Sequence, residues 1–279
     1  MNQASPQETQ APHPSGGLRV ALAQLSCVEG DKRQNLIACR RAVERAAGLR
    51  ADIIVLPELI LTGFPPQKEL LRIVEAAHGA DDDAFGDMAA QHGIAIVAGL
   101  PELDTDSGAV FNAMVVFGRR GEELARYHKA HLFDGERSAY RPGDTLNGLF
   151  SYEGVRCGLL CCFDIEFPEA ARTLALQGTQ CILVSSANML PWDAHHRLHI
   201  RARALENHVF VAYANRAGNS PDFAYAGQSA LIDPLGRVVR EARADDQVIV
   251  AALALELIAQ SREVFDYLRE RRPGLYSGA

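Results

Sequence analysis

A carboxylate and a thiol each follow an apolar run of this sequence, at Glu58 and Cys162, and an ammonium group, that of Lys129, lies beside aromatic and apolar residues. In α/β proteins, reactive groups gather just past the carboxyl ends of the strands. A carboxylate can act as a general base, a thiol as a nucleophile, and an ammonium group can stabilise a developing oxyanion. The three residue types are therefore candidates for one catalytic centre.

Each of the three also has an ordinary structural interpretation. Glu58 could cap a helix, Lys129 could extend its charge to solvent, and a lone buried cysteine is most often a small hydrophobic residue. Lys129 stands out because the chain has only three lysines against 25 arginines. Cys162 is placed as a nucleophile, since a strand turning into a helix brings backbone N–H groups to the thiol. The pleat turns Cys161 to the opposite face, where we predict a packing role.

The three runs resemble the nitrilase superfamily of carbon–nitrogen hydrolases, and the resemblance extends over residues 18–276. Members carry Glu, Lys and Cys in this chain order, in motifs that here occupy Leu56–Leu59, Tyr127–Phe133 and Cys162–Glu169. The residue after the nucleophile is usually Tyr and is Phe163 here. The resemblance implies an α/β fold, a four-layer αββα sandwich, that pairs through helices into a homodimer or a higher homo-oligomer.

The resemblance also implies roles for these residues. Glu58 would be the general base that takes the proton of Cys162, and Lys129 would hold the oxyanion together with the backbone N–H of Phe163. Glu136 corresponds to a second glutamate near the catalytic centre of many members. It would orient the substrate amide or support Lys129.

Four residues are predicted to bind the substrate: Phe64, Phe163, Asn188 and Trp192. Asn188 follows the strand after the nucleophile helix, where the family places substrate-contacting residues. An equally open interpretation is that Asn188 only forms a turn. Trp192 and Phe64 lie in the loops on which the shape of the pocket depends.

The predicted reaction is hydrolysis of a small carboxamide to a carboxylate and ammonia through a thioester at Cys162. A nitrilase or an N-carbamoyl amide hydrolase of the same family is the alternative. From another class, the chain could be a non-catalytic member that binds a ligand or partner in the same pocket. No metal and no cofactor is predicted, because the sequence lacks H-E-x-x-H and the glycine-rich phosphate motifs.

Short apolar runs alternate with helical patterns without a linker, which predicts a single α/β domain over residues 18–279. The predicted strands cover residues 19–24, 52–56, 94–99, 110–117, 124–128, 155–161, 181–185, 209–213, 228–232, 237–240 and 247–253. The predicted helices cover residues 32–49, 70–77, 83–91, 168–177 and 192–207, with a helix-like tail that ends near residue 272.

Composition narrows the class of protein and its partners. The 279 residues are 48% hydrophobic and 23% charged, which is ordinary for a globular protein and excludes a disordered chain. A net charge of −7 with scattered basic residues argues against nucleic acid and against an anionic membrane. The six cysteines have neither metal nor disulfide spacing, which favours a reducing compartment, and we predict a cytoplasmic protein. Residues 1–17 are predicted to be a disordered tail without the apolar stretch of a signal peptide.

Overall fold

The structure, a computed structural model, describes residues 17–76 and 78–276. The predicted tail, residues 1–17, lies outside the described residues apart from Gly17. The helices in these ranges are α1 (Lys32–Gly48), α2 (Gln67–Ile73), α3 (Ala80–His92), α4 (Pro168–Leu176), α5 (Asp193–Asn207) and α6 (Glu256–Val264). The strands are β1 (Arg19–Gln24), β2 (Ile53–Val55), β3 (Glu75–Ala76), β4 (Ala95–Leu103), β5 (Val110–Phe117), β6 (Glu123–His128), β7 (Leu149–Tyr152), β8 (Val155–Cys161), β9 (Cys181–Ser186), β10 (Phe210–Asn215), β11 (Ala230–Ile232), β12 (Val238–Glu241) and β13 (Gln247–Ala252).

The strands form two sheets, each with a parallel centre. The first sheet has the order β13-β1-β2-β4-β5-β6, with β3 paired to β4, and the second has the order β12-β11-β10-β9-β8-β7. Strands β1, β2 and β4 are parallel, and so are β8, β9 and β10. Because β6 is antiparallel to β5, which is antiparallel to β4, β6 leaves the sheet at the same edge as β2. The exits of β2 and β6 therefore present Glu58 and Lys129 together.

Three buried apolar layers separate four layers of secondary structure. Inward side chains of the two sheets, such as Val55 and Leu159, form the central core. Helices α1 and α3 cover the outer face of the first sheet, with Phe85 fully buried there. Helices α4 and α5 cover the second sheet through Leu174 and Ile200. These layers confirm the predicted αββα sandwich. Strands covered on both faces need nearly continuous apolar runs, and this sequence has them.

The structure corrects the predicted elements in three places. The helix-like tail predicted to end near residue 272 is α6, which ends at Val264. The helix predicted for residues 70–77 ends at Ile73, and Glu75–Ala76 form β3 beside the end of β4. Strand β7, Leu149–Tyr152, was not predicted, because four residues are too few to show a period. The consecutive strands β5 and β6 pair antiparallel, and so do β11 and β12. Within the described ranges, no helix is long and apolar enough to cross a membrane.

Candidate active site

Glu58 leaves the first sheet where β2 ends and is almost completely buried, with 1% of its surface exposed. Its backbone N–H donates to the carbonyl oxygen of Ser186 over 3.3 Å, which ties the exit of β2 to the exit of β9. Gly99 of β4 allows the backbone to pass close by, because a Cβ atom there would lie 2.9 Å from Cα of Glu58. The end of β2, the hydrogen bond to Ser186 and the close approach of Gly99 together fix the position of the Glu58 carboxylate.

The ammonium group of Lys129 lies between two carboxylates. Its Nζ is 2.7 Å from Oε1 of Glu58 and 2.7 Å from Oε2 of Glu136. The amide nitrogen of Asn112 donates to Oε1 of Glu58 over 2.7 Å and to Oε1 of Glu136 over 3.2 Å. The backbone N–H of Phe133 donates to Glu136 over 2.6 Å, so the 3₁₀ turn that carries Glu136 holds its own carboxylate in place. The structure thus brings Glu58, Lys129 and Glu136 into one hydrogen-bonded cluster.

The charges of this cluster depend on each other. Burial alone would lower the pKa of Lys129, but the charges of Glu58 and Glu136 hold it well above the ordinary value. Burial and the charge of Glu58 raise the pKa of Glu136, while Lys129 opposes the shift. Lys129 is therefore a permanent cation. Its charge can stabilise a negatively charged oxygen without transfer of a proton.

Cys162 is held in an uncommon backbone conformation directly after β8. Its φ is 46°, in the left-handed region that residues with a Cβ atom rarely occupy, and such conformations cluster at functional sites. The Oγ of Ser186 donates to the Cys162 sulfur over 3.3 Å and shares a 2.5 Å hydrogen bond with the hydroxyl of Tyr213. Burial, followed by the charge of Glu58, raises the pKa of the Cys162 thiol. The thiol is therefore protonated at rest and needs a base.

A buried aspartate joins the turn of Cys162 to the segment of Lys129. Asp164 accepts hydrogen bonds from the hydroxyl of Tyr127 over 2.8 Å and from the backbone N–H of His131 over 2.8 Å. It also accepts the backbone N–H of Cys161 over 3.0 Å. These bonds connect residues on either side of Lys129 to the residues flanking Cys162, so the relative position of ammonium and thiol is rigid.

A cavity of about 520 Å³ opens onto this cluster. Its wall includes all eight residues that the sequence singles out as catalytic or substrate-binding: Glu58, Phe64, Lys129, Glu136, Cys162, Phe163, Asn188 and Trp192. Asn188 is itself held in place, because Asn215 accepts its backbone N–H over 2.7 Å and His196 lies 3.1 Å from its side-chain oxygen. The volume is in the range of sites for small molecules.

Sequence reasoning missed two residues of the site and underestimated a third. Asn112 and Ser186 were not singled out, although an amide inside the apolar run Val110–Phe117 was an available signal. Cys161 lies in the central core as expected. The predicted packing role is confirmed, and its sulfur also lies 3.4 Å from Oε1 of Glu58.

Comparisons with known proteins agree with this geometry. Residues 19–263 match the family model described as carbon-nitrogen hydrolase. An (R)-stereoselective amidase of a Pseudomonas species is 37% identical over 256 residues, covering 91% of this chain and 92% of that protein. A 2-oxoglutaramate amidase of Bacillus subtilis is 33% identical over 261 residues, covering 90% and 97%. The solved amidase of Nesterenkonia sp. in complex with butyramide has a TM-score of 0.82 at 28% identity, covering 93% and 95%.

Proposed function

Because the chain belongs to the carbon–nitrogen hydrolase family, we propose that it is an amidase that cleaves a small carboxamide to a carboxylate and ammonia through a cysteine thioester. One observation carries the proposal: the Glu58 carboxylate, the Lys129 ammonium group and the Cys162 thiol line one cavity, with the thiol on a strained turn. Amidases among its relatives support it. A non-catalytic binding protein would have no need for a strained thiol beside a buried carboxylate.

The first half of the reaction forms the thioester. Glu58 takes the proton of the Cys162 thiol as the sulfur attacks the carbonyl carbon of the amide. The oxyanion that forms lies toward the Lys129 ammonium group and the backbone N–H of Phe163, whose charge and dipole stabilise it. The tetrahedral intermediate then collapses, the C–N bond breaks, and protonated Glu58 gives its proton to the leaving nitrogen, so that ammonia departs.

The second half releases the acid. Glu58, again a carboxylate, takes a proton from a water molecule that attacks the thioester carbonyl. The C–S bond breaks, the carboxylic acid leaves, and the sulfur recovers its proton from Glu58. Glu136 keeps Lys129 in position throughout, since both of its oxygens lie within 2.9 Å of Nζ.

Intact-mass measurement tests the proposal directly. The wild-type protein and Cys162→Ala are mixed briefly with carboxamides, nitriles and N-carbamoyl compounds, and ammonia release is followed in parallel. We expect an acyl adduct on the wild type alone, with ammonia from carboxamides. Turnover by Cys162→Ala at the wild-type rate would contradict the mechanism, and a response to nitriles or N-carbamoyl compounds only would reassign the substrate.

We also propose a cytoplasmic location and a homodimer. The six cysteines are all free thiols, as expected in a reducing compartment. Helix α5 exposes Leu198 to 67% and Leu205 to 40%, which favours a second copy packed against this helix. Light scattering should report a dimer that Leu198→Glu dissociates. The control Leu71→Glu changes a leucine that is 53% exposed on α2 and should leave the dimer intact.

A further inference from the structure

The charges around the cavity are mostly negative. Its lining includes four carboxylates and one ammonium group: Glu58, Asp134, Glu136, Glu166 and Lys129. Lys129 is already held by two of these carboxylates, as described above. Among the described residues that line the cavity, no further lysine and no arginine is present to receive an anionic substrate group.

Asp134 and Glu166 are the two carboxylates of this lining that make no hydrogen bond to Lys129, and Glu166 is the less exposed of the two. It belongs to the 3₁₀ turn Cys162–Glu166, so the nucleophile and this carboxylate share one short segment. The guanidinium of Arg203 binds the backbone carbonyl oxygens of Ile165 and Glu166 over 3.0 and 2.7 Å and pairs with the side chain of Glu206. It therefore fixes the turn, and its ion pair is with Glu206. Burial raises the pKa of Glu166, and the charges of His195 and Arg203 oppose this shift.

The nearest histidine, His199, is not hydrogen-bonded to this carboxylate. Nδ1 of His199 is 3.6 Å from Oε2 of Glu166, beyond hydrogen-bonding distance. Burial, followed by the charges of Arg203 and His195, lowers the pKa of His199, so its ring is neutral at neutral pH. The side chain of Glu166 is 22% exposed, so it is partly removed from water while it faces the cavity.

Aromatic rings line the same cavity as this carboxylate. The ring of Phe133 meets the ring of Phe163 at 5.3 Å and that of Trp192 at 6.3 Å, both edge to face. All three residues line the cavity with Glu166. A carboxylate among aromatic faces is the arrangement that binds an ammonium group, through charge and through the ring quadrupoles.

We propose that Glu166 and the aromatic wall select carboxamides whose acyl group carries a protonated amine, and that the same carboxylate rejects acyl groups ending in a carboxylate. This inference rests on the amidase function proposed above. The Coulomb energy of one partly buried carboxylate favours the cation and opposes the anion, so a single residue sets the order cation, neutral, anion.

Two matched substrate series test this order. The first is β-alaninamide, butyramide and succinamate, and the second is γ-aminobutyramide, valeramide and glutaramate. Each series keeps the chain length and changes only the end group. We expect kcat/KM to be about tenfold higher for the amine than for the alkyl amide, and about tenfold lower for the carboxylate, as ~1.4 kcal/mol per step requires.

Glu166→Gln tests the assignment to this residue. The ratio of kcat/KM between the amine and the alkyl amide should fall toward one, and the ratio between the alkyl amide and the carboxylate should fall with it. Glu169→Gln is the matched control, because Glu169 is exposed on the first turn of α4, outside the cavity lining, and its loss is the same change of charge.

The outcomes separate this inference from the function on which it rests. Preference for succinamate or glutaramate, equal rates within each series, or ratios that Glu166→Gln leaves in place would overturn the inference while the amidase function stands. Ammonia release from no amide at all would overturn the amidase function and this inference with it.

Discussion

The side-chain amide of Asn112 donates a 2.7 Å hydrogen bond to the same oxygen, Oε1 of Glu58, that the ammonium group of Lys129 approaches to 2.7 Å. Glu58, the proposed general base, is therefore held by two donors on one carboxylate oxygen. Both donors belong to the first sheet or its edge, whereas the nucleophile belongs to the second. The alignment of base and nucleophile thus depends on how the two sheets pack.

Asn112→Ala should lower kcat for a carboxamide by about 10- to 100-fold, because a hydrogen bond to a charged group contributes roughly 1.5–3 kcal/mol. The protein should stay folded, since the cavity left in β5 is small. Steady-state kinetics with a thermal melt checks both statements. Asn147→Ala, in an exposed loop, is the matched control and should keep the wild-type rate. Equal rates for the two variants would show that Asn112 does not position Glu58.

Lys129→Met should inactivate the protein and also destabilise it, because two buried carboxylates would lose the cation between them. Breaking a buried pair typically costs about 3–5 kcal/mol. Denaturant unfolding measures the loss, and mass spectrometry reports whether an acyl adduct still forms. Lys68→Met removes a lysine that is exposed on α2 and should leave stability and activity near the wild type. A Lys129→Met protein of wild-type stability would mean that Glu58 and Glu136 are not both charged.

The fold and the three main site residues were predictable because both leave a local signal. Apolar runs of four to eight residues mark buried strands, and a reactive side chain directly after such a run lies at the edge of a sheet. Glu58 and Cys162 have this placement, and Lys129 follows the half-buried strand β6. The four-layer arrangement was predicted from the resemblance to a known family, because the alternation of strands and helices does not show how the layers stack.

The rest of the site depends on contacts between segments far apart in the chain. Asn112 lies within a strand, and only the pairing of β5 with β6 and the exit of β2 brings its amide to Glu58, 54 residues away in sequence. Ser186 meets Cys162 because β9 lies beside β8. Cys161 was assigned to packing because strand alternation does not show which side chains of the first sheet lie opposite it.

Gly99→Ala should reduce kcat without abolishing folding. The added Cβ would lie 2.8 Å from the backbone oxygen of Pro57 and 2.8 Å from the backbone nitrogen of Leu59, so the segment that carries Glu58 must move. A shift of about 1 Å in a catalytic group can cost about 100-fold in rate. Gly48→Ala is the control, because nothing lies within 4 Å of its added Cβ. Steady-state kinetics of the two variants measures this effect. Equal values of kcat would show that the close approach of Gly99 to the segment of Glu58 is not needed.

His196 should make the protein less stable in mild acid. Burial lowers its pKa to about 4, its Nδ1 lies 3.1 Å from the Asn188 side-chain oxygen, and its ring stacks on Tyr213 at 5.0 Å. Its Nε2 is buried and has no hydrogen-bond partner among the described residues, so a proton added there has no acceptor. The folded state therefore disfavours the protonated ring.

The sign of the pH dependence follows from this lowered pKa. An unfolded chain protonates His196 near pH 6.5, whereas the folded chain resists until about pH 4. The stability due to the neutral ring is therefore present above about pH 6.5 and is lost as the pH falls toward 4, by up to about 1.4 kcal/mol per pH unit. Urea unfolding at pH 7.5 and pH 5 should show a smaller loss for His196→Gln than for the wild type. His195→Gln, an exposed neighbour on α5, should keep the wild-type loss, and equal losses in all three proteins would mean that His196 does not drive the acid sensitivity.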